Sequence, residues 1–138
     1  MSIKKSSAWR WFALFIKERD GWTCITCGRR YKDARMNAGH FIQADGHLNT
    51  YFNEENVNAQ CSGCNIWGQT TILEYRRALN RKYGDGTDEK LEKLGKVKVK
   101  RPTNKELLII AKTYRDKYRN YKGGHAIPKR IARAKRGP

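Results

Sequence analysis

The sequence predicts a small α+β domain built around one zinc ion and flanked by helices. Three observations predict it. Four cysteines fall as two matched pairs, Cys24-x2-Cys27 and Cys61-x2-Cys64. The stretch from Tyr31 to Phe52, between the pairs, has no helical period. Outside the pairs, apolar residues recur at helical spacing. On this reading residues 1–84 form the zinc-binding core, 85–122 a helical extension and 123–138 a basic tail.

Ala8–Asp20 is the first helix. Trp9, Phe12, Leu14, Phe15 and Ile16 make a broad apolar face, Ser6 or Ser7 supplies the N-cap, and Asp20-Gly21 is the stop. The first cysteine pair follows, with Gly28 permitting the turn. Segments around Met36–Ile42 and Leu48–Phe52 read as two strands joined at Ala44-Asp45-Gly46. The second pair runs into a helix over Thr70–Tyr83 that ends at Gly84. Asp88–Leu94 suits a short helix, and Lys96–Pro102 is a basic connector broken by Pro102. Thr103 caps a longer helix to about Tyr121, with Leu107, Leu108, Ala111, Tyr114 and Tyr118 on one face.

Each CxxC presents two sulfurs from one tight turn, and two such turns complete a tetrahedral four-sulfur site. A redox CxxC lacks the βαβ context it needs here, and buried structural thiols do not explain two identical pairs. A closed four-sulfur site leaves no open coordination position, so this zinc is structural and offsets the modest core of a chain with only 38% hydrophobic residues. Any chemistry must come from elsewhere.

The 138 residues carry 30 Lys and Arg against 13 Asp and Glu, a formal charge of +17. That excess favours a polyanionic partner, nucleic acid first, with an anionic membrane surface or a ribosomal-type role as alternatives. No run is apolar enough to span a bilayer, and the start MSIKKSSAWRWF lacks a signal peptide's apolar core, so the chain is expected to be soluble and intracellular.

Between the cysteine pairs stands Asn37-Ala38-Gly39-His40-Phe41, and Asn56-Val57-Asn58-Ala59-Gln60 leads into Cys61-x2-Cys64-Asn65. This order of histidine, asparagine and asparagine resembles the zinc-bearing HNH (ββα-metal) nucleases, including the phage junction-cleaving endonuclease VII. It is closer to the phage recombination endonuclease family NinG, also called Rap. The family's AGH(F/Y) motif matches Ala38–Phe41. Its FNExN(I/V)xxQCxxCN motif matches Phe52–Asn65, through Phe52, Asn53, Glu54, Asn56, Gln60 and Asn65. The resemblance runs from about Ala8 to Tyr121 and is most specific between the cysteine pairs.

The resemblance implies an HNH-like core and a metal-dependent DNA endonuclease acting on branched recombination intermediates of the Holliday-junction type, in the cytoplasm of a bacteriophage's host. His40 would be the general base, since a neutral imidazole takes a proton from water near pH 7. Asn65 would bind catalytic Mg2+ or Mn2+ through its amide oxygen, and Asn56 would hold the loop and orient the His40 ring. Cutting a junction symmetrically takes two nicks, which suits a two-fold homodimer paired through Thr103–Tyr121.

The chain departs from the pattern at the metal. Many HNH enzymes place Asp immediately before the histidine, where this chain has Gly39; NinG relatives can carry Asp three residues before it, where this chain has Asn37. Residues 37 and 39 share a strand face, so Asn37 is a second candidate ligand, with Asp45, Glu54 or Glu55 assisting. An amide oxygen holds Mg2+ less well than a carboxylate, so weak affinity or lost activity are the other readings.

Candidate DNA contacts are Arg76, Arg77, Arg81 and Lys82 on the helix, and Lys129 and Arg130 in the tail. The four on the helix also suit an ordinary solvated face. His47 reads as a surface residue of the turn, His125 as part of the tail, and Asn65 alternatively as a helix cap. Trp9, Trp11 and Trp22 read as core, and Trp67 is open. Two other functions fit the same residues. A non-catalytic zinc module that binds nucleic acid explains the cysteines and charge but not His40, Asn56 and Asn65 together. A homing or restriction HNH enzyme would differ only in cutting a defined sequence.

Overall fold

The computed structural model describes residues 2–124. Helix α1 (Ser7–Arg19) starts at Ser6, whose hydroxyl accepts from the Trp9 amide, and stops at Asp20. The chain then turns through Gly21 and Trp22, both at positive φ, and the indole of Trp22 is buried beside the cysteines. A Thr23–Arg30 bridge closes the turn bearing the first cysteine pair.

Strands β1 (Met36–His40) and β2 (Val57–Cys61) form a two-stranded antiparallel sheet. Asn37 faces Gln60, Gly39 faces Asn58, and His40 faces Val57. Alternate residues take opposite sides of a strand. Ala38 and Val57 therefore pack toward α1, while Asn37, Gly39, Asn58 and Gln60 share the other face.

The second strand lies later than the sequence pattern suggests. Leu48–Thr50 is a single 3-10 turn, and the apolar residues around it are drawn away from any strand partner. Leu48, Tyr51 and Phe52 pack instead with Ile3, Ala8 and Leu107. The observed strand does alternate apolar Val57, Ala59 and Cys61 with polar Asn58 and Gln60, yet all five are buried, because tertiary partners satisfy the two amide side chains.

After β2 come α2 (Ser62–Asn65), α3 (Ile72–Tyr83), α4 (Thr87–Gly95) and α5 (Asn104–Gly124). Reciprocal capping boxes start both long helices, Thr71 with Glu74 and Thr103 with Glu106. Helix α1 is sandwiched between the sheet and α5. Phe12 and Ile16 are fully buried there, and the Phe12 and Tyr114 rings meet edge to face at 4.6 Å. The apolar stripe of α5 is thus spent inside the chain through Leu107, Ala111 and Tyr118. Leu108, expected on the same stripe, is 66% exposed. Core and extension share this interior. Tyr75 and Leu79 of α3 pack with Leu91 of α4 and Phe41 in a second layer. Among the described residues no helix is long and apolar enough to cross a membrane. Residues 125–138, with His125, Lys129 and Arg130, lie outside the described residues.

Candidate metal centre and active site

The four cysteines converge from three places: the turn after α1, the end of β2, and α2. Their sulfurs all lie within 4.8 Å of one another, and Cys27 Sγ is 3.7 Å from Cys61 Sγ. A tetrahedron with zinc–sulfur bonds of about 2.3 Å has edges of roughly 3.8 Å, so this spacing fits zinc. Cys24, Cys61 and Cys64 are buried with Trp22, Met36 and Ala59. Burial pushes the Cys27 thiol up to about 12, with neighbouring thiols adding to it. Burial opposes ionisation of Cys24 too, but hydrogen bonds from Thr26 and from nearby amides outweigh it and bring that thiol down to about 6. One thiolate is favoured without a cation; four require the divalent charge a metal brings.

His40 ends β1 and is pinned on three sides. Trp9 of α1 stacks on its ring at 5.0 Å and 16°, and Tyr51 meets it nearly edge-on at 5.1 Å. Its Nε2 lies 3.0 Å from the Tyr51 carbonyl oxygen. A carbonyl only accepts, so Nε2 carries the proton and Nδ1 is the basic nitrogen of the neutral ring. Burial lowers the His40 pKa below its ordinary value, more than the carbonyl contact raises it, so the ring is neutral at pH 7.

Asn56 holds the loop that supplies that carbonyl. It is fully buried. Its Oδ1 accepts from the Ile42 amide at 2.7 Å, and its Nδ2 donates to the carbonyls of Ile42 and Thr50 at 3.1 and 3.0 Å. One side chain therefore clamps both arms of the loop between β1 and β2, directly before Tyr51.

Amide side chains gather over Gly39. Asn65 Nδ2 donates to Asn37 Oδ1 at 3.2 Å, and Ser62 Oγ donates to the same oxygen at 3.4 Å. Gln60 faces Asn37 across the sheet. A Cβ on residue 39 would collide with Gln60 Oε1 and come within 3.1 Å of Asn65 Oδ1. Glycine leaves this space to the ends of the Gln60 and Asn65 side chains, and an aspartate at position 39 would have to displace them. Asn65 does not cap α3, a role that Thr71 fills.

Asn37, His40, Gln60 and Asn65 line one cleft of about 800 Å3, together with Lys4 and Lys17 and with no aspartate or glutamate. The carboxylates considered as helpers are placed elsewhere. Glu54 accepts from Tyr114 and Lys117, Glu55 pairs with Lys90, and Asp45 is not in the cleft wall. Amide oxygens suit a hard cation such as Mg2+, which keeps several waters, but supply no charge to hold it. The residues fit a weakly bound cation.

Gln60, Trp9, Tyr75 and the two lysines were not singled out for this site from sequence. Gln60 could have been found from the register once β2 is placed. Tyr75 Oη donates to the Gly39 carbonyl at 2.6 Å and accepts from Asn58 Nδ2 at 3.3 Å, fixing β1 to α3. No local pattern marks Trp9 or Tyr75, since both act across long sequence separations.

The helix cations divide. Arg76 is committed to Asp88 and Glu92 of α4 at 2.8 and 2.9 Å, and Lys82 to Asp20 and Asn58 at 2.9 and 2.8 Å. Both are structural ties: Arg76 faces two carboxylates, and Lys82 shares the Asp20 carboxylate with Arg19 while donating to the Asn58 amide oxygen. Arg77 and Arg81 are exposed. His47 is half-buried, with its ring bonded to the carbonyls of its own turn.

A sequence model of the bacteriophage lambda NinG protein family matches residues 3–123. The protein ninG of Escherichia phage lambda is 33% identical over 79 residues, which cover 56% of this chain and 38% of the relative. That of Salmonella phage P22 is 30% identical over 107 residues, 77% of this chain and 51% of the relative. That of Escherichia phage 933W is 32% identical over 79 residues, 56% of this chain and 39% of the relative. The chain spans about half the length of these relatives or less. No solved structure matches it.

Proposed function

The chain belongs to the family of the bacteriophage lambda NinG protein, and we propose that it is a metal-dependent DNA endonuclease of the HNH kind. The observation that carries this reading is His40: a half-buried, neutral imidazole with Nε2 tied to a backbone carbonyl, in a cleft shared with three amide side chains. A surface histidine needs no such clamp. A general base does, because the lone pair must stay on one nitrogen and aim at one water.

In this mechanism Nδ1 of His40 accepts a proton from the attacking water, and the Tyr51 carbonyl stabilises the imidazolium that results. Asn65, with Asn37 and Gln60, would hold Mg2+ or Mn2+, which when bound offsets charge on the phosphate and the departing oxygen. Lys4 and Lys17 supply positive charge to the same cleft. The four cysteines hold structural Zn2+ and take no part in the chemistry.

DNA is the proposed partner because the charge is +17 and the cleft wall contains no carboxylate. A branched, Holliday-type junction is proposed from the family resemblance, as is action within a bacterial host cell. Two nicks would then need two copies of the chain. A homodimer would use the face of α5 turned away from α1, where Leu108 and Ile109 are exposed.

A non-catalytic zinc module that binds DNA remains the second reading, favoured by the absence of a charged metal ligand in the cleft. Cleavage of a labelled four-way junction and a matched linear duplex in Mg2+ or Mn2+, with wild type and His40→Ala, separates the readings. Nicking lost in the variant with binding kept supports the enzyme. Binding without nicking in either metal moves the assignment to the module, and cutting of a linear duplex at a defined sequence identifies a homing or restriction type.

A further inference from the structure

Beside the cleft, in the turn that follows the second cysteine pair, Trp67 is 77% exposed. Ile66 and Ile72 next to it are each 59% exposed, and Leu73 is 48% exposed. This apolar ridge is held firmly. The amides of Ile66 and Trp67 donate to the Ser62 carbonyl at 2.8 and 3.3 Å, and the Gln69 amide donates to Gly63 at 2.9 Å. The Gln69 side chain lies against Gly63 so closely that a Cβ there would collide with it. Gly68, at φ +71°, lets the chain double back immediately after Trp67. The far end of the turn is anchored by the Thr71–Glu74 capping box. A large aromatic ring is thus presented to solvent by a turn anchored at both ends.

Its position says what it faces. Ile66, Thr70, Thr71 and Ile72 line the same cleft as His40, Lys4 and Lys17. The ridge is therefore the rim of a carboxylate-free, cationic groove. An apolar protein surface would gain nothing from those lysines, whereas a nucleic-acid strand offers phosphate to the groove and a base to the indole. Bases inside a duplex are already stacked on both faces. Only an unpaired or splayed base has a free π-face for a ring, and stacking of that kind tolerates any sequence.

We propose that Trp67, flanked by Ile66 and Ile72, is a stacking platform for an unpaired base of a DNA strand lying in the His40 cleft, which gives the protein a preference for branched over continuous duplex. The proposal rests on the reading of that cleft as a DNA site, and it makes the turn itself the element that recognises a branch.

The test uses the full zinc-loaded chain, with Ca2+ in place of Mg2+ to hold back cleavage. The probes are a linear duplex and a three-way branch of matched sequence carrying 2-aminopurine at an unpaired position. Trp67→Ala is expected to weaken binding to the branch by about tenfold and to remove the quenching of 2-aminopurine, while duplex binding changes by less than about twofold. Trp67→Phe keeps most of the branch preference. Equal losses on both probes, no loss on either, or Phe behaving as Ala overturns the proposal. So does a shift in sedimentation of Trp67→Ala without DNA, which would make the ridge a contact between copies. Cleavage by the wild type is measured alongside. A Trp67 effect on the branch without any cutting leaves the platform standing and removes the nuclease, whereas cutting that is indifferent to Trp67 does the reverse.

Discussion

The Nε2 atom of His40 lies 3.0 Å from the carbonyl oxygen of Tyr51, eleven residues further along the chain. That contact fixes the tautomer, because only a protonated Nε2 satisfies a carbonyl, and so it leaves Nδ1 as the nitrogen with the free lone pair.

His40→Ala should lower cleavage by about 10²- to 10⁴-fold while zinc content and DNA binding stay as in wild type. Burial is the larger influence on the ring and depresses its pKa below 6.5. The base form is therefore populated through neutrality, and the acid limb of the pH–rate profile should have its midpoint below 6.5. A midpoint above 7 would exclude His40 as the base. The same depressed value contributes stability that is present above the unfolded-state pKa of about 6.5 and is lost as pH falls through the folded one.

Removing the metal should unfold the domain around the sheet. The sulfurs of Cys24, Cys27, Cys61 and Cys64 hold the turn after α1, the end of β2 and α2 together. Metal binding at such sites is worth on the order of 10 kcal/mol, comparable with the whole stability of a small domain. Chelation or Cys61→Ser should abolish the cooperative melting transition seen by circular dichroism. Cobalt(II) should restore it, with the visible spectrum of a tetrahedral four-sulfur site; an octahedral spectrum would disprove the four-cysteine assignment.

Asn56→Ala should cost about 3 kcal/mol. Its side chain makes three hydrogen bonds to backbone in a fully buried place, and truncation strips the Ile42 amide and carbonyl of this partner and leaves the Thr50 carbonyl only the Asn53 amide. Cleavage by the folded fraction should fall as well, because the Thr50–Tyr51 segment that holds His40 is released. Chemical denaturation together with turnover per folded molecule measures both. Full turnover in a destabilised protein would confine Asn56 to a structural role.

Gly39→Asp alone should gain little metal affinity, since the new side chain must first displace the flexible end of Gln60. Combining Gly39→Asp with Gln60→Ala opens the space and puts a carboxylate beside Asn37 and Asn65. The double variant should bind Mg2+ or Mn2+ more tightly, on the order of tenfold, because charge is what this ligand set lacks. Isothermal titration with Mn2+ reads the difference. Equal affinity for wild type and double variant would mean that no cation sits at this position.

How much of this was legible in the sequence varies with the range of the interaction. The two CxxC pairs, the Ser6 start and Asp20 stop of α1, and the Thr103 cap of α5 all follow from residues a few positions apart. Arg76 and Lys82 illustrate the limit. Each belongs to a basic helix face in the sequence, yet Asp88 and Glu92 claim the first, and Asp20 and Asn58 the second.

By itself the sequence determined an α+β chain with four cysteines spaced to hold a metal ion, terminal helices and a strong positive charge, because spacing, caps and composition are local or additive properties. Tertiary structure alone decided which segment pairs with β1, that Gly39 lies under Gln60 and Asn65, and that Trp9 and the Tyr51 carbonyl hold His40. Those outcomes turn on burial. A polar residue such as Asn58 becomes a strand residue only when Tyr75, Lys82 and Tyr83 arrive to satisfy it, and a histidine becomes a neutral base only when its neighbours exclude water.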